Sequence, residues 1–150
     1  MSAVIDSASS KDLEKLYTIE KKCFKEEAFT KEQILQMLDD YNTISLIAKV
    51  GDEIAGFVIG MIYVERNTLH GHILTVDVEP KFQRRGIGTQ LMKEIEKIFR
   101  LKNTRFLHLE VREDNKAAID LYIKLGYVTI GKLNNYYGKV HGIYLRKSLA

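Results

Sequence analysis

The sequence has no tryptophan, one proline (Pro80) and one cysteine (Cys23). A lone cysteine excludes an internal disulfide framework and fits a reducing compartment, so a cytoplasmic protein is expected. No apolar run is long enough to span a bilayer. The first ten residues, MSAVIDSASS, have neither the basic start nor the apolar stretch of a signal peptide, so no membrane partner is expected. Neither charge sign dominates: 23 Lys and Arg against 20 Asp and Glu leave +3, spread along the chain. That is too weak and too even to argue for nucleic acid by itself, so no nucleic-acid partner is expected. No repeat, low-complexity tract or linker interrupts the 150 residues, so one domain covering 1–150 is expected.

What is present is regular patterning. Ser9 to Asp12 and Thr30 to Gln33 read as capping boxes, each opening a helix. Leu13, Leu16 and Tyr17 recur at helical spacing in the first, with Cys23 near its end; Ile34, Leu35 and Leu38 do so in the second. The segments 43–50, 53–64 and 72–79 read as strands, with 65–71 as a loop. An apolar stripe from Ile87 to Phe99 predicts a long helix. Residues 105–111 are apolar enough for a central strand. Asn115 caps a further helix stopped by Gly126. Segments 127–133 and 142–149 are late strands joined by Asn134 to Gly138. The order α-α-β-β-β-α-β-α-β-β predicts an α/β (α+β) fold, a mixed sheet with helices on both faces.

One corner of this pattern suggests chemistry. Residues 83–89, QRRGIGT, lie between a strand and a helix. A helix start offers unpaired amides and partial positive charge, and glycine lets an anion approach them closely. Arg84 and Arg85 add cationic donors. The sequence is not a P-loop, because it lacks the Lys-Ser/Thr pair. It is not a dinucleotide fingerprint either, because Leu91 stands at the third glycine position. A phosphate cradle and a plain tight turn both fit these residues taken alone.

Gln83-Arg84-Arg85-Gly86-Ile87-Gly88 resembles the Q/R-x-x-G-x-G/A signature of the GNAT superfamily of acetyl-CoA-dependent N-acetyltransferases. The preceding TVDVEP, the strand LHLEVRE and the helix NKAAIDLYIKLGY match in order and spacing, and the likeness covers roughly residues 10–148. The composite LEVR-x-x-N-x-x-A-I-x-L-Y resembles two groups of protein Nα-acetyltransferases. These are the bacterial ribosomal-protein alanine acetyltransferases and the catalytic subunits of archaeal and eukaryotic N-terminal acetyltransferases. The resemblance implies a GNAT fold with a mostly antiparallel sheet and splayed central strands. It implies acetyl-CoA as co-substrate and no metal. The backbone of Val76, Asp77 and Val78 would follow the acetyl and pantetheine arm, and amides from Arg84, Arg85, Gly86, Ile87, Gly88 and Thr89 would hold the pyrophosphate. Asn115 would touch the arm and Tyr122 would lie near the sulfur.

The reaction needs a neutral amine, yet an α-amino group has a pKa near ~8, so a base is required. Glu110, between Leu109 and Val111 in the apolar strand, is the first candidate, and burial is expected to raise its pKa. Tyr122 is the candidate acid for the leaving thiolate. His72 resembles a histidine of some archaeal relatives and is a second candidate base; His108 has no assignment. A metal held by His70, His72 and His108 finds no support in a wider Cys/His cluster. On the acceptor side, Glu27 and Phe29 in the loop FKEEAF, and Tyr136 and Tyr137 in NNYYG, flank the expected peptide entry. Cys23, expected far from the corner, gives no acetyl-enzyme route. The resulting expectation is direct acetyl transfer to protein N-termini. Lysine or small-amine acetylation and a non-catalytic CoA-binding module are the alternatives. Ribosome association and an auxiliary subunit are compatible with this reading and not specified by it.

Overall fold

The computed structural model describes residues 3–150. Its elements are β1 (Val4–Ser7), α1 (Leu13–Phe24), α2 (Lys31–Asp39), β2 (Thr43–Val50), β3 (Glu53–Glu65), β4 (Thr68–Val78), α3 (Ile87–Leu101), β5 (Phe106–Arg112), α4 (Lys116–Lys124), β6 (Val128–Tyr137) and β7 (Val140–Ser148). Short 3-10 turns precede α1, follow it at Lys25–Glu27, and follow β4 at Pro80–Phe82. Both capping boxes form as their sequences dictate. Ser9 and Asp12 close one; Thr30 and Gln33 close the other. Among the described residues no helix is long and apolar enough to cross a membrane.

The strands form one sheet in the order β1-β2-β3-β4-β5-β7-β6. Every neighbouring pair is antiparallel except β4 and β5. A parallel pair needs a crossover, and α3 supplies it. Strand residues alternate between two cores. Leu46 and Ala48 pack with Leu91, Ile95 and Phe99 of α3 on one face. Ile47 packs with Leu16, Ile19 and Ile34 of α1 and α2 on the other. Helices therefore cover both faces, as the alternation of apolar residues requires.

The feature that makes a site is the short β4–β5 ladder. It holds only His70 with Phe106, Gly71 with Leu107 and His72 with His108. Beyond these residues β4 runs on to Val78 and β5 to Arg112 without pairing to each other. The central strands splay, and main-chain groups on the open edge of β4 lack a strand partner.

Three sequence expectations change. Strand β1 was not anticipated; its four residues carry too short a pattern, and pairing with β2 from Val4 to Ser7 makes it. The supposed loop 65–71 is mostly strand, with a two-residue turn at Arg66 and Asn67, both at positive φ. Gly71 suggested the loop, but it is a strand residue kept small by packing: a Cβ there would lie 2.3 Å from Leu107 and 2.9 Å from Phe99. Tyr136 and Tyr137 belong to β6 itself, because the hairpin closes through Gly138 and Lys139.

Candidate active site

Beyond β4 the chain makes the 3-10 turn at Pro80–Phe82 and enters α3 through Gly86, whose φ of 78° is the left-handed conformation glycine adopts freely. The start of α3 has no side-chain cap and no acid in its first turn, so its amides stay open. Arg84 and Arg85 are exposed beside it, and among the described residues the ion pairs lie elsewhere. A cleft runs from this corner along Val76 and Val78, past Gly86, Ile87, Gly88 and Thr89, to Asn115 and Tyr122. Asp77 turns the other way: its side chain is buried under α1, and only its backbone lies along the cleft strand.

A second cavity opens on the opposite side of the splay, lined by Glu27, Phe29, Ile73, Glu110, Arg112 and Tyr137. Phe24, Val76, Asn115, Ala118 and Tyr122 line both spaces. The two openings therefore meet in the gap between β4 and β5. Asn115 caps α4 by accepting from the Ala118 amide at 3.2 Å. Tyr122 is 8% exposed and packs edge-on against Tyr127. Burial, then the charges of Asp77 and Tyr137, push its phenol well up, so it holds its proton.

Glu110 lies at the acceptor side of the gap. His72 Nε2 is 2.8 Å from its Oε1, and His108 Nδ1 is 3.6 Å from its Oε2. Here the expected pKa is corrected. Burial alone raises it, but the contact with His108, the hydrogen bond with His72 and the Coulomb attraction of both rings outweigh burial and bring Glu110 down to about 2. Glu110 and His108 share a face of β5 two residues apart; what the sequence could not show is that the parallel register sets His72 against them. His72, His108 and Glu110 offer ligand atoms within 4.8 Å of one another. The two rings stack at 4.4 Å and 16°.

The acceptor residues are tied together. Glu27 is ion-paired with Arg112 and so is not a free carboxylate for an incoming amine. Arg112 also grips Asp114 through two bonds of 3.0 Å and lies over the Tyr137 ring. The Phe29 amide donates to Glu20 at 3.0 Å. Tyr137 lines the cavity with Tyr136 packed edge-on beside it, and Tyr136 is half exposed.

Two further features escaped the sequence reading. Cys23 is not far from the corner: its thiol reaches the Val78 carbonyl at 3.3 Å and lines the cleft. Burial, then the charge of Asp77, pushes that thiol up to about 12, so it is a poor nucleophile. Below it, Glu20, Thr75 and Asp77 form a buried network, with the Thr75 hydroxyl 2.8 Å from Glu20 and 2.5 Å from Asp77. One hydroxyl proton cannot serve both acids. Burial and the Glu20 charge raise Asp77 well above the carboxylate range, so it is the protonated partner. Glu20 falls on the stripe Leu16, Ile19, Cys23, and a carboxylate on an apolar stripe was the available signal.

The sequence pattern of the acetyltransferase (GNAT) family matches residues 13–148. The catalytic subunit NAA20 of the N-terminal acetyltransferase B complex of Arabidopsis thaliana is 32% identical over 102 residues. These are 67% of this chain and 59% of that protein, so the chain spans somewhat over half of that relative's length. The structure of Ard1 from Thermoplasma volcanium superposes with a TM-score of 0.90 at 29% identity, covering 100% of this chain and 99% of that one. Arabidopsis thaliana NAA60, solved with acetyl-CoA, shares the fold at a TM-score of 0.85 and 20% identity, covering 98% of each chain.

Proposed function

We infer the function of this chain from two facts: it belongs to the acetyltransferase (GNAT) family, and its central strands splay to join a cleft at an open helix start with a second cavity at Glu110. The family's co-substrate is acetyl-CoA, and the chemistry is acetyl transfer to an amine. Within that chemistry, the proposed acceptor is the α-amino group of a protein N-terminus, reached by one domain spanning residues 1–150. The meeting of the two spaces at Tyr122 is the observation that carries this reading. It lets a thioester and an amine approach from opposite sides.

In this scheme the amides from Arg84 to Thr89, with both arginines, hold the pyrophosphate, and the backbone of Val76 to Val78 follows the arm. The amine enters past Tyr136, Tyr137 and Phe29. It gives its proton to His72, whose ring the Glu110 carboxylate holds through Nε2, and attacks the thioester carbon. Main-chain N–H groups on the unpaired edge of β4 face the developing oxyanion. The C–S bond breaks, Tyr122 protonates the leaving thiolate, and the second proton shed by the nitrogen as the amide forms returns Tyr122 to its phenol. One proton is released per ammonium consumed. No acetyl-enzyme forms, because Cys23 keeps its proton. The presence of an N-terminal acetyltransferase catalytic subunit among the relatives supports the α-amine as acceptor. Aromatic side chains at the entry, with Arg112 held across it, also suit a peptide main chain better than a long side chain. Mass spectrometry of two peptides, one with a free N-terminus and one blocked but carrying an internal lysine, tests this. The free N-terminus should be acetylated much faster; the reverse order would assign the enzyme to lysine acceptors.

A further inference from the structure

On the sheet face that carries Glu110, one chain of contacts runs away from the gap. Tyr63 of β3 places its hydroxyl 2.6 Å from His108 Nε2, and the two rings meet edge-on. At the other end of the same imidazole, Nδ1 is buried and 3.6 Å from Glu110 Oε2, with no closer hydrogen-bond partner. The His108 ring stacks on His72, which holds the other carboxylate oxygen. We propose that Tyr63 and His108 are positioning residues: Tyr63 fixes the tautomer of His108, and His108 then directs its Nδ1–H at Glu110.

A phenol can donate or accept at neutral pH, and donation by Tyr63 is the arrangement that leaves the His108 proton free to face the carboxylate. Burial, then Glu65, Tyr144 and Glu110, keeps Tyr63 protonated. With Tyr63 donating, Nε2 must accept, and the single proton of a neutral imidazole then resides on Nδ1. The opposite tautomer would set a lone pair against a carboxylate in a buried site, which is costly. Glu110 thus has one oxygen on His72 Nε2 at 2.8 Å and the other turned toward His108 Nδ1 at 3.6 Å, the way an outer partner orients an active group. The other groups facing it are Tyr144 from β7 and Tyr136 and Tyr137 from β6, all phenols whose ionisation the carboxylate opposes. Glu110 therefore stays an anion while His72 exchanges the proton. This division of labour rests on the proposed function. The tautomer itself does not.

The test needs no substrate. In the 15N-labelled protein at neutral pH, long-range proton–nitrogen correlations report the tautomer of each histidine, and the 13C resonance of the Glu110 carboxyl reports its titration. Wild type should show His108 as the Nδ1–H form. Tyr63→Phe, which keeps the ring, should move His108 toward the Nε2–H form. His108→Ala should raise the Glu110 midpoint, and His108→Gln, whose amide can donate, should restore much of the low value. A wild-type Nε2–H tautomer would overturn the proposal. So would a Tyr63→Phe variant with an unchanged tautomer, or a His108→Ala variant with unchanged carboxyl titration. Because both readouts come from the resting protein, they stand even if peptide N-termini prove to be the wrong acceptor.

Discussion

At the residue scale, the site turns on how two carboxyl groups are treated. Glu110 is partly buried but held by imidazoles, and its pKa falls to about 2. Asp77 is fully buried beside Glu20, and its pKa rises. The consequences for stability have opposite signs. A depressed carboxylate stabilises the fold above its unfolded pKa of ~4.3, and that contribution is lost as pH falls toward the folded value. Glu110→Gln should therefore lose less stability than the parent between roughly pH 4 and 2, read by thermal unfolding at stepped pH. A raised carboxyl contributes below its unfolded pKa and loses that contribution as pH rises through the folded value. Asp77→Asn should gain relative to the parent as pH rises, because an amide keeps the hydrogen bonds without the ionisation. In catalysis, Glu110→Gln should lower kcat on the order of 10²-fold or more. An unaltered kcat would remove Glu110 from the reaction. The position of Glu110 was legible, because a carboxylate inside an apolar strand is costly without a purpose. Its ionisation was not, because His72 is 38 residues away and only the strand register brings it near.

At the element scale, local signals were read where they are local. Two capping boxes, the Asn115 cap and the stripe of α3 all form helices as their residues require. What failed was glycine in a strand. Gly71 looks like a loop residue until Phe99 and Leu107 close over it. Gly71→Ala should therefore cost ~1–3 kcal/mol in urea unfolding, the range for overpacking a filled core. Gly131 in β6 has open space where its Cβ would go. Gly131→Ala should stay within about 0.5 kcal/mol of the parent, as exposed substitutions do. Equal losses at both sites would show that the contact at Gly71 is relieved by movement of its neighbours. Gly86 differs again: its Cβ would clash with nothing, so any cost of Gly86→Ala, about 1 kcal/mol, comes from the left-handed backbone alone.

At the scale of the whole molecule, one irregularity organises the rest. A parallel pair inside an otherwise antiparallel sheet stops after three residues. Its open edges make room for two reactants, and α3 and α4 present their starts toward the gap. The sequence implied this splay only through family likeness, since no local pattern states where a ladder ends. A conjugate joining the CoA sulfur to a peptide α-nitrogen through an acetyl bridge should fill both spaces at once. Calorimetry should show it binding at least ~100-fold tighter than CoA or peptide alone, the gain expected when two sites are engaged by one tethered ligand. The same conjugate made through a lysine ε-nitrogen of a blocked peptide should gain much less. Equal affinities for the two conjugates, or an α-linked conjugate no tighter than CoA itself, would contradict the account of a gap built to bring a thioester and a protein N-terminus together.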